Sequence, residues 1–221
     1  MFRMNITIHR LAKPFIPFVN ALFTDSIEGV ANLPPAGPYI LASNHESMPD
    51  SWVMANIVLA SQNIRVWFIA RDNFWFTIWW GHLVGPLLGS LLIDWRSPSA
   101  VLEKAKAILR SGEIVGIFPE GTRNPDKRSL VLGKTGVARL ALAAHCPVVP
   151  VGYIGLPINS AWDVFKIYVW QRQRSKVRIG QPIDLSAFYG KPITKELLYE
   201  VTDKIMIEIG KLCGKKPRLH K

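Results

Sequence analysis

Two short blocks of the 221-residue chain bring together residue types that can do chemistry. The first is Ser43 to Asp50, SNHESMPD, in which His45 stands five positions before Asp50. An imidazole accepts a hydroxyl proton near neutral pH only when its tautomer is held. A carboxylate on the other ring nitrogen supplies that orientation and stabilises the imidazolium. The spacing is weak by itself, because chance supplies such a pair in roughly a quarter of chains of this composition. Ser47 and Asp50 also read as a capping box with Pro49 in the first turn, which would give Asp50 a structural task instead. The second block is Phe118 to Arg123, FPEGTR, which runs into a loop at Asn124, Pro125 and Asp126. Gly121 lets backbone amides approach an anion, and Arg123 can grip phosphate oxygens through its fork of donors. A turn with an incidental arginine is the plainer alternative.

Both blocks follow apolar runs that read as strands. Such runs occur at Tyr39 to Ala42, Val66 to Ala70, Ile114 to Phe118, Val148 to Tyr153 and Lys176 to Ile179, several apolar enough to be buried on both faces. Helices fill the gaps. Ser97 and Pro98 open one with an N-cap and a first-turn proline; Val101, Leu102, Ala105, Ile108 and Leu109 form its apolar face, and Gly112 closes it. A second covers about Thr135 to Ala144. A third runs from about Thr194 to Leu212, where Leu197, Leu198, Val201, Ile205 and Ile209 recur with the helical period. The expected fold is a single α/β domain, with a mixed central sheet flanked by helices and a membrane-associating N-terminal segment. The domain spans residues 28–221 and the lead-in residues 1–27. Placing His45 where a strand ends suits open α/β sheets, which bind ligands at such ends.

Composition narrows the partners. Lys and Arg number 27 against 16 Asp and Glu, a formal +11, so the natural partner is anionic. Nucleic acid and an acidic membrane both qualify on charge, but no nucleic-acid-binding motif is present and the aromatics are not interleaved with the basic runs. Cys146 and Cys213 have no metal-ligand or redox spacing. Arg3, Arg10 and Lys13 precede an apolar stretch, 15–23, that is too short to span a bilayer and is broken by proline. Residues 74–93, FWFTIWWGHLVGPLLGSLLI, are long enough to cross one. Gly81, Gly85, Pro86 and Gly89 divide them into an aromatic helical piece and a short buried strand ending at Asp94.

Taken together, the NHxxxxD and FPEGTR blocks resemble those of the lysophospholipid, or 1-acylglycerol-3-phosphate, acyltransferase family, and stand in the same order. The resemblance covers roughly residues 28 to 185. It implies His45 as general base, Asp50 as its orienting partner, and Glu120, Gly121 and Arg123 as binders of an acceptor phosphate. Arg71, after Ala70, resembles a basic residue that helps hold the same phosphate, and Val148 to Pro150 resemble a structural or donor-binding block. Two departures stand out. Trp95 separates Asp94 from Arg96, which leaves Arg96 unassigned, and Leu132 stands near Lys134 where relatives often have an aromatic, so Lys134 is a candidate only, as is Thr122.

The implied reaction is direct transfer of a fatty acyl group from acyl-CoA or acyl-carrier protein to a lysophosphatidate-like acceptor, with no metal or redox cofactor. Ser47 lacks the strained elbow of a nucleophilic serine. The oxyanion donors are not identified. Since one span between the blocks would separate them, residues 74–93 are expected not to cross the membrane. The expected location is the cytoplasmic face of the cell membrane, peripheral or monotopic. There Arg172, Arg174, Lys176, Arg178, Lys215, Lys216, Arg218 and Lys221 would face anionic lipid. Acylation of glycerol 3-phosphate or another lysolipid, hydrolysis of the thioester, and nucleic-acid binding are the alternatives.

Overall fold

Strands that are apolar on both faces must be covered on both faces, and this sets the architecture. The computed structural model describes residues 16–47, 49–62, 64–70, 90–92, 98–156, 158 and 160–221. Its strands are β1 (Thr24–Glu28), β2 (Tyr39–Ser43), β3 (Val66–Ala70), β4 (Ser90–Leu92), β5 (Ile114–Ile117), β6 (Val148–Ile154) and β7 (Ser175–Ile179). They form one sheet in the order β1-β7-β6-β2-β5-β3-β4. Every pair is parallel except β6 with β7. The mixed α/β sheet expected from the sequence is therefore present.

The helices are α1 (Ile16–Phe23), α2 (Asp50–Gln62), α3 (Pro98–Arg110), α4 (Gly136–Ala144), α5 (Ala161–Val164) and α6 (Lys195–Cys213). Alternate residues of β2 serve opposite cores, as the pleat requires. Tyr39 and Leu41 of β2 meet Val53, Met54, Ile57 and Val58 of α2 on one face. Ile40 and Ala42 meet the other face, where α3, α4 and α6 pack through residues such as Leu109, Val137 and Ile205. Thr194 caps α6 by accepting from the Leu197 amide at 3.2 Å, and Gly214 closes it in the left-handed region at φ 73°. Ile205 is fully buried. Truncating it to alanine would cost about 2–5 kcal/mol, a large share of a domain's stability.

The sheet creates a crevice through its winding. After β2 the chain passes through α2 on one face to β3. After β5 it passes through α4 on the opposite face to β6. β2 and β5 are neighbours, so their following loops diverge and open the space between them, a topological switch point.

Several expectations are refined. Residues 24–27 belong to the sheet as part of β1, so the division expected between 27 and 28 falls inside a strand. Residues 1–15 lie outside the described residues. So do 74–93 apart from Ser90–Leu92, which form β4 where a strand was expected. Among the described residues no helix is long and apolar enough to cross a membrane.

Candidate active site

The register of β2 and β5 decides which residues meet. Ala42 pairs with Ile117 in parallel, so Asn44 and His45 leave the sheet beside Phe118 and Pro119. Asn44 is fully buried. It extends the β2–β6 ladder with its side chain: Nδ2 donates to the Tyr153 carbonyl and Oδ1 accepts from the Tyr153 amide, each at 2.8 Å. This fixes the chain direction at the residue just before His45.

His45 and Asp50 come together, with Nδ1 and Oδ2 2.8 Å apart. The same Oδ2 accepts the Glu46 and Ser47 amides at 3.0 and 3.2 Å, and Oδ1 accepts the Ser51 amide at 2.7 Å. Besides the imidazole, the groups bonded to this fully buried carboxylate are three backbone N–H donors, so it acts as an acceptor throughout. The ring proton therefore sits on Nδ1, which leaves the Nε2 lone pair as an acceptor. The imidazole stacks on Phe118 at 4.1 Å between centroids, and Phe118 stacks in turn on Phe68. The capping and orienting readings of Asp50 are thus both realised by one carboxylate at the start of α2. Ser47 does not complete the box: its buried hydroxyl lies 3.5 Å from the Tyr153 hydroxyl.

Glu120, expected beside the acceptor phosphate, is bonded to N–H groups of the protein itself. It is 1% exposed. Its Oε1 accepts the His45 amide at 3.1 Å, while Oε2 accepts Asn124 Nδ2 and the Val131 amide, both at 2.8 Å. A buried carboxylate occupied by three N–H donors offers no donor to a phosphate. Asn124 completes the join, its amide donating to the His45 carbonyl at 2.7 Å. The two sequence blocks are therefore stitched together at the backbone of His45.

Gly121, Thr122 and Arg123 lie on the exposed side of this loop. Gly121 has φ 66°, and a Cβ there would come within 2.7 Å of Lys134 Nζ. The absence of a side chain lets the Lys134 ammonium lie directly over the turn. Arg123 donates through one guanidinium nitrogen to the Ile158 carbonyl at 3.4 Å. Lys134, Gly121 and Arg123 thus share one loop surface next to His45. Arg71 and Arg96 lie outside the described residues. Val148 to Pro150 are buried in β6.

Three residues not marked as functional by their sequence context support this centre. Glu46, 8% exposed, accepts the Gly155 amide at 2.8 Å and pairs with Lys215 at 2.5 Å. Lys215, 7% exposed, also donates to the Asp126 carbonyl at 2.6 Å. It was expected on an exposed basic tail. Instead the left-handed Gly214 turns the chain back and buries the ammonium beneath both blocks. Burial pushes the Glu46 carboxyl above its ordinary range, and the bond from Lys215 opposes this. Asn124 is the third; its place in the loop after FPEGTR was its only signal. Lys176 and Arg178 are likewise engaged, pairing with Asp25 and Glu28 across the β1–β7 ladder.

Comparison with known proteins bears on this arrangement. A family model described as Acyltransferase matches residues 26–154, more than half of the chain and both blocks. The 1-acyl-sn-glycerol-3-phosphate acyltransferase of Bacillus subtilis (strain 168) is 27% identical over 189 residues, covering 85% of this chain and 87% of that protein. The alpha 1-acyl-sn-glycerol-3-phosphate acyltransferase of Homo sapiens is 31% identical over 153 residues, 66% of this chain but 51% of the human protein. The crystal structure of the 1-acyl-sn-glycerophosphate (LPA) acyltransferase PlsC from Thermotoga maritima matches with a TM-score of 0.64, over 97% of this chain and 82% of that chain at 22% identity, and so shares the fold. The chain belongs to the acyltransferase family, and it is an enzyme.

Proposed function

We propose that the protein moves a fatty acyl group from acyl-CoA or acyl-carrier protein to the free hydroxyl of 1-acylglycerol 3-phosphate, giving phosphatidate. The observation that carries this reading is the His45–Asp50 pair held at 2.8 Å on the backbone that Glu120 and Asn124 grip. His45 Nε2 removes the acceptor's hydroxyl proton as its oxygen attacks the thioester carbonyl. A C–O bond forms, the C–S bond breaks, and the proton passes from the imidazolium to the departing thiolate. Asp50 holds the tautomer and stabilises the imidazolium. Arg123 binds the acceptor phosphate, with Lys134, the Gly121 turn and Thr122 beside it. Glu120 acts through His45 as a positioning residue. No covalent acyl-enzyme is required, and the burial of Ser47 against Tyr153 supports direct transfer. No cofactor is used beyond the acyl thioester. The enzyme works at the cytoplasmic face of the membrane as a peripheral or monotopic protein.

The test is free-thiol release from palmitoyl-CoA, with and without lysophosphatidate, by the protein and by His45→Ala and Arg123→Ala. Release that requires the acceptor, falls about 10²–10⁴-fold without the imidazole, and needs more acceptor without Arg123 supports the assignment. Release without acceptor points to a hydrolase. Turnover only with glycerol 3-phosphate or another lysolipid moves the acceptor.

A further inference from the structure

Nine large apolar residues are exposed among the described residues, and four of them fall between 162 and 170. Trp162 is 69% exposed, Phe165 45%, Val169 48% and Trp170 80%. Tryptophan is among the more buried residue types on average, so two such exposures within nine residues mark a surface made to be covered. The segment consists of α5 and a π-helical stretch, Phe165–Trp170. It is anchored from beneath. Tyr168 is 2% exposed, with its hydroxyl 3.2 Å from that of Tyr153 and 2.9 Å from Ser175 Oγ, and its ring packs edge-on against Phe23 of α1 at 4.7 Å. With Tyr168 turned inward, Trp162, Phe165, Val169 and Trp170 form an outward ridge. Trp162 and Phe165 stack along it at 5.5 Å.

Charge indicates what covers this ridge. Residues 161–174 carry Lys166, Arg172 and Arg174, all exposed, against Asp163 alone among acidic residues. Exposed indoles beside cations match the headgroup layer of an anionic bilayer, where amphipathic rings settle and basic side chains meet lipid phosphates. The surface is also continuous with α1 and α2. Phe23 packs edge-on against Trp52, 38% exposed, and the sequence leading into α1 carries Arg3, Arg10 and Lys13. The ridge adjoins the rim of the active site, since the connector before it holds Ile158, which bonds Arg123, and Gly155, which bonds Glu46.

We infer that the 162–170 ridge, flanked by Lys166, Arg172 and Arg174, is an interfacial anchor that seats the mouth of the active site on an anionic lipid surface. This rests on the proposed membrane-bound substrate but specifies a contact that can be read without turnover. The experiment is cosedimentation of the full chain with phosphatidylcholine vesicles, with and without phosphatidylglycerol. It compares the parent, Trp162→Ser/Trp170→Ser, and Lys166→Gln/Arg172→Gln/Arg174→Gln. The tryptophan variant should lose about tenfold in partition onto both vesicle types, because interfacial binding scales with buried apolar area. The charge variant should lose affinity only for the vesicles containing phosphatidylglycerol, and only at low salt. Acyl transfer with detergent-dispersed substrates should be unchanged in both; failure of that reaction in the parent would count against the proposed function and not against the anchor. Unchanged partition of both variants would overturn the anchor. So would a parent dimer that the tryptophan variant converts to monomer with vesicle binding intact, since the occupant would then be a second copy.

Discussion

Glu120 accepts the backbone amide of His45 at 3.1 Å, so a carboxylate of the second sequence block determines where the imidazole of the first one stands. This separates it from Arg123 in any kinetic test. Glu120→Gln replaces an acceptor by an NH2 group facing donors, leaving one buried N–H unpaired at a cost of about 1–3 kcal/mol. The expected result is a fall in kcat of about tenfold to a hundredfold with acceptor KM nearly unchanged, and partial recovery in Glu120→Asp. A rise in acceptor KM alone would place Glu120 on the substrate instead.

Asp50→Asn tests the tautomer. An amide can present its NH2 to Nδ1, which would shift the ring proton to Nε2 and remove the base. The expected loss in kcat is about 10²–10⁴-fold, with thioester binding retained. Because the amide must also replace bonds to Glu46, Ser47 and Ser51, thermal unfolding should be recorded alongside. A loss of activity no larger than the loss of folded protein would assign Asp50 to capping alone.

Lys215→Met leaves Glu46 buried without its cation, and breaking such a pair costs about 3–5 kcal/mol. Burial already raises the Glu46 carboxyl, and its main opposition is removed. A carboxyl whose folded pKa stands above its unfolded value contributes stability at low pH that is lost as pH rises through the folded value. The variant's deficit against the parent should therefore be smaller near about pH 5 than near about pH 8. Urea unfolding at the two pH values reads this directly. A deficit that does not vary with pH would remove Glu46 as its cause. Glu46→Met/Lys215→Met should recover much of the stability.

The two cysteines provide a control on the core. Burial pushes the Cys146 thiol up to about 12 and the Cys213 thiol up to about 11. Both should resist iodoacetamide at about pH 8 in the native protein and react fully in guanidinium. Raised thiols stabilise the fold below their unfolded pKa, and that contribution is lost as pH rises through the folded values. Rapid native alkylation of Cys146 would contradict the packing of α4 against the sheet.

The sequence was legible where burial on both sides leaves a local mark. β2, β5 and β6 read as continuous apolar runs, and α3 and α6 as periodic ones, because each is covered in a simple way. β1 carries no such mark. TDSIE has one apolar residue in five, and it is a strand because β7, some 150 residues on, offers it a partner. His45 and Asp50 were readable as a pair. The position of Glu120 depends on the β2–β5 register, and that of Lys215 on a left-handed turn that returns the chain to Glu46. Neither is local. The positions 162, 165, 169 and 170 have helical spacing, but the period does not say whether a stripe faces the core or the outside; Tyr168 settles it by occupying the inner side.

The buried Lys215 also has a meaning in time. A ribosome delivers the chain in order, and His45 emerges 170 residues before the lysine that underpins it. At about 5–20 residues per second, that interval is roughly 10–30 s. Through it the nascent chain carries an imidazole and its aspartate without the clasp beneath them. Under the proposed function, competence arrives late in synthesis, and a partly made chain has little opportunity to squander acyl thioesters.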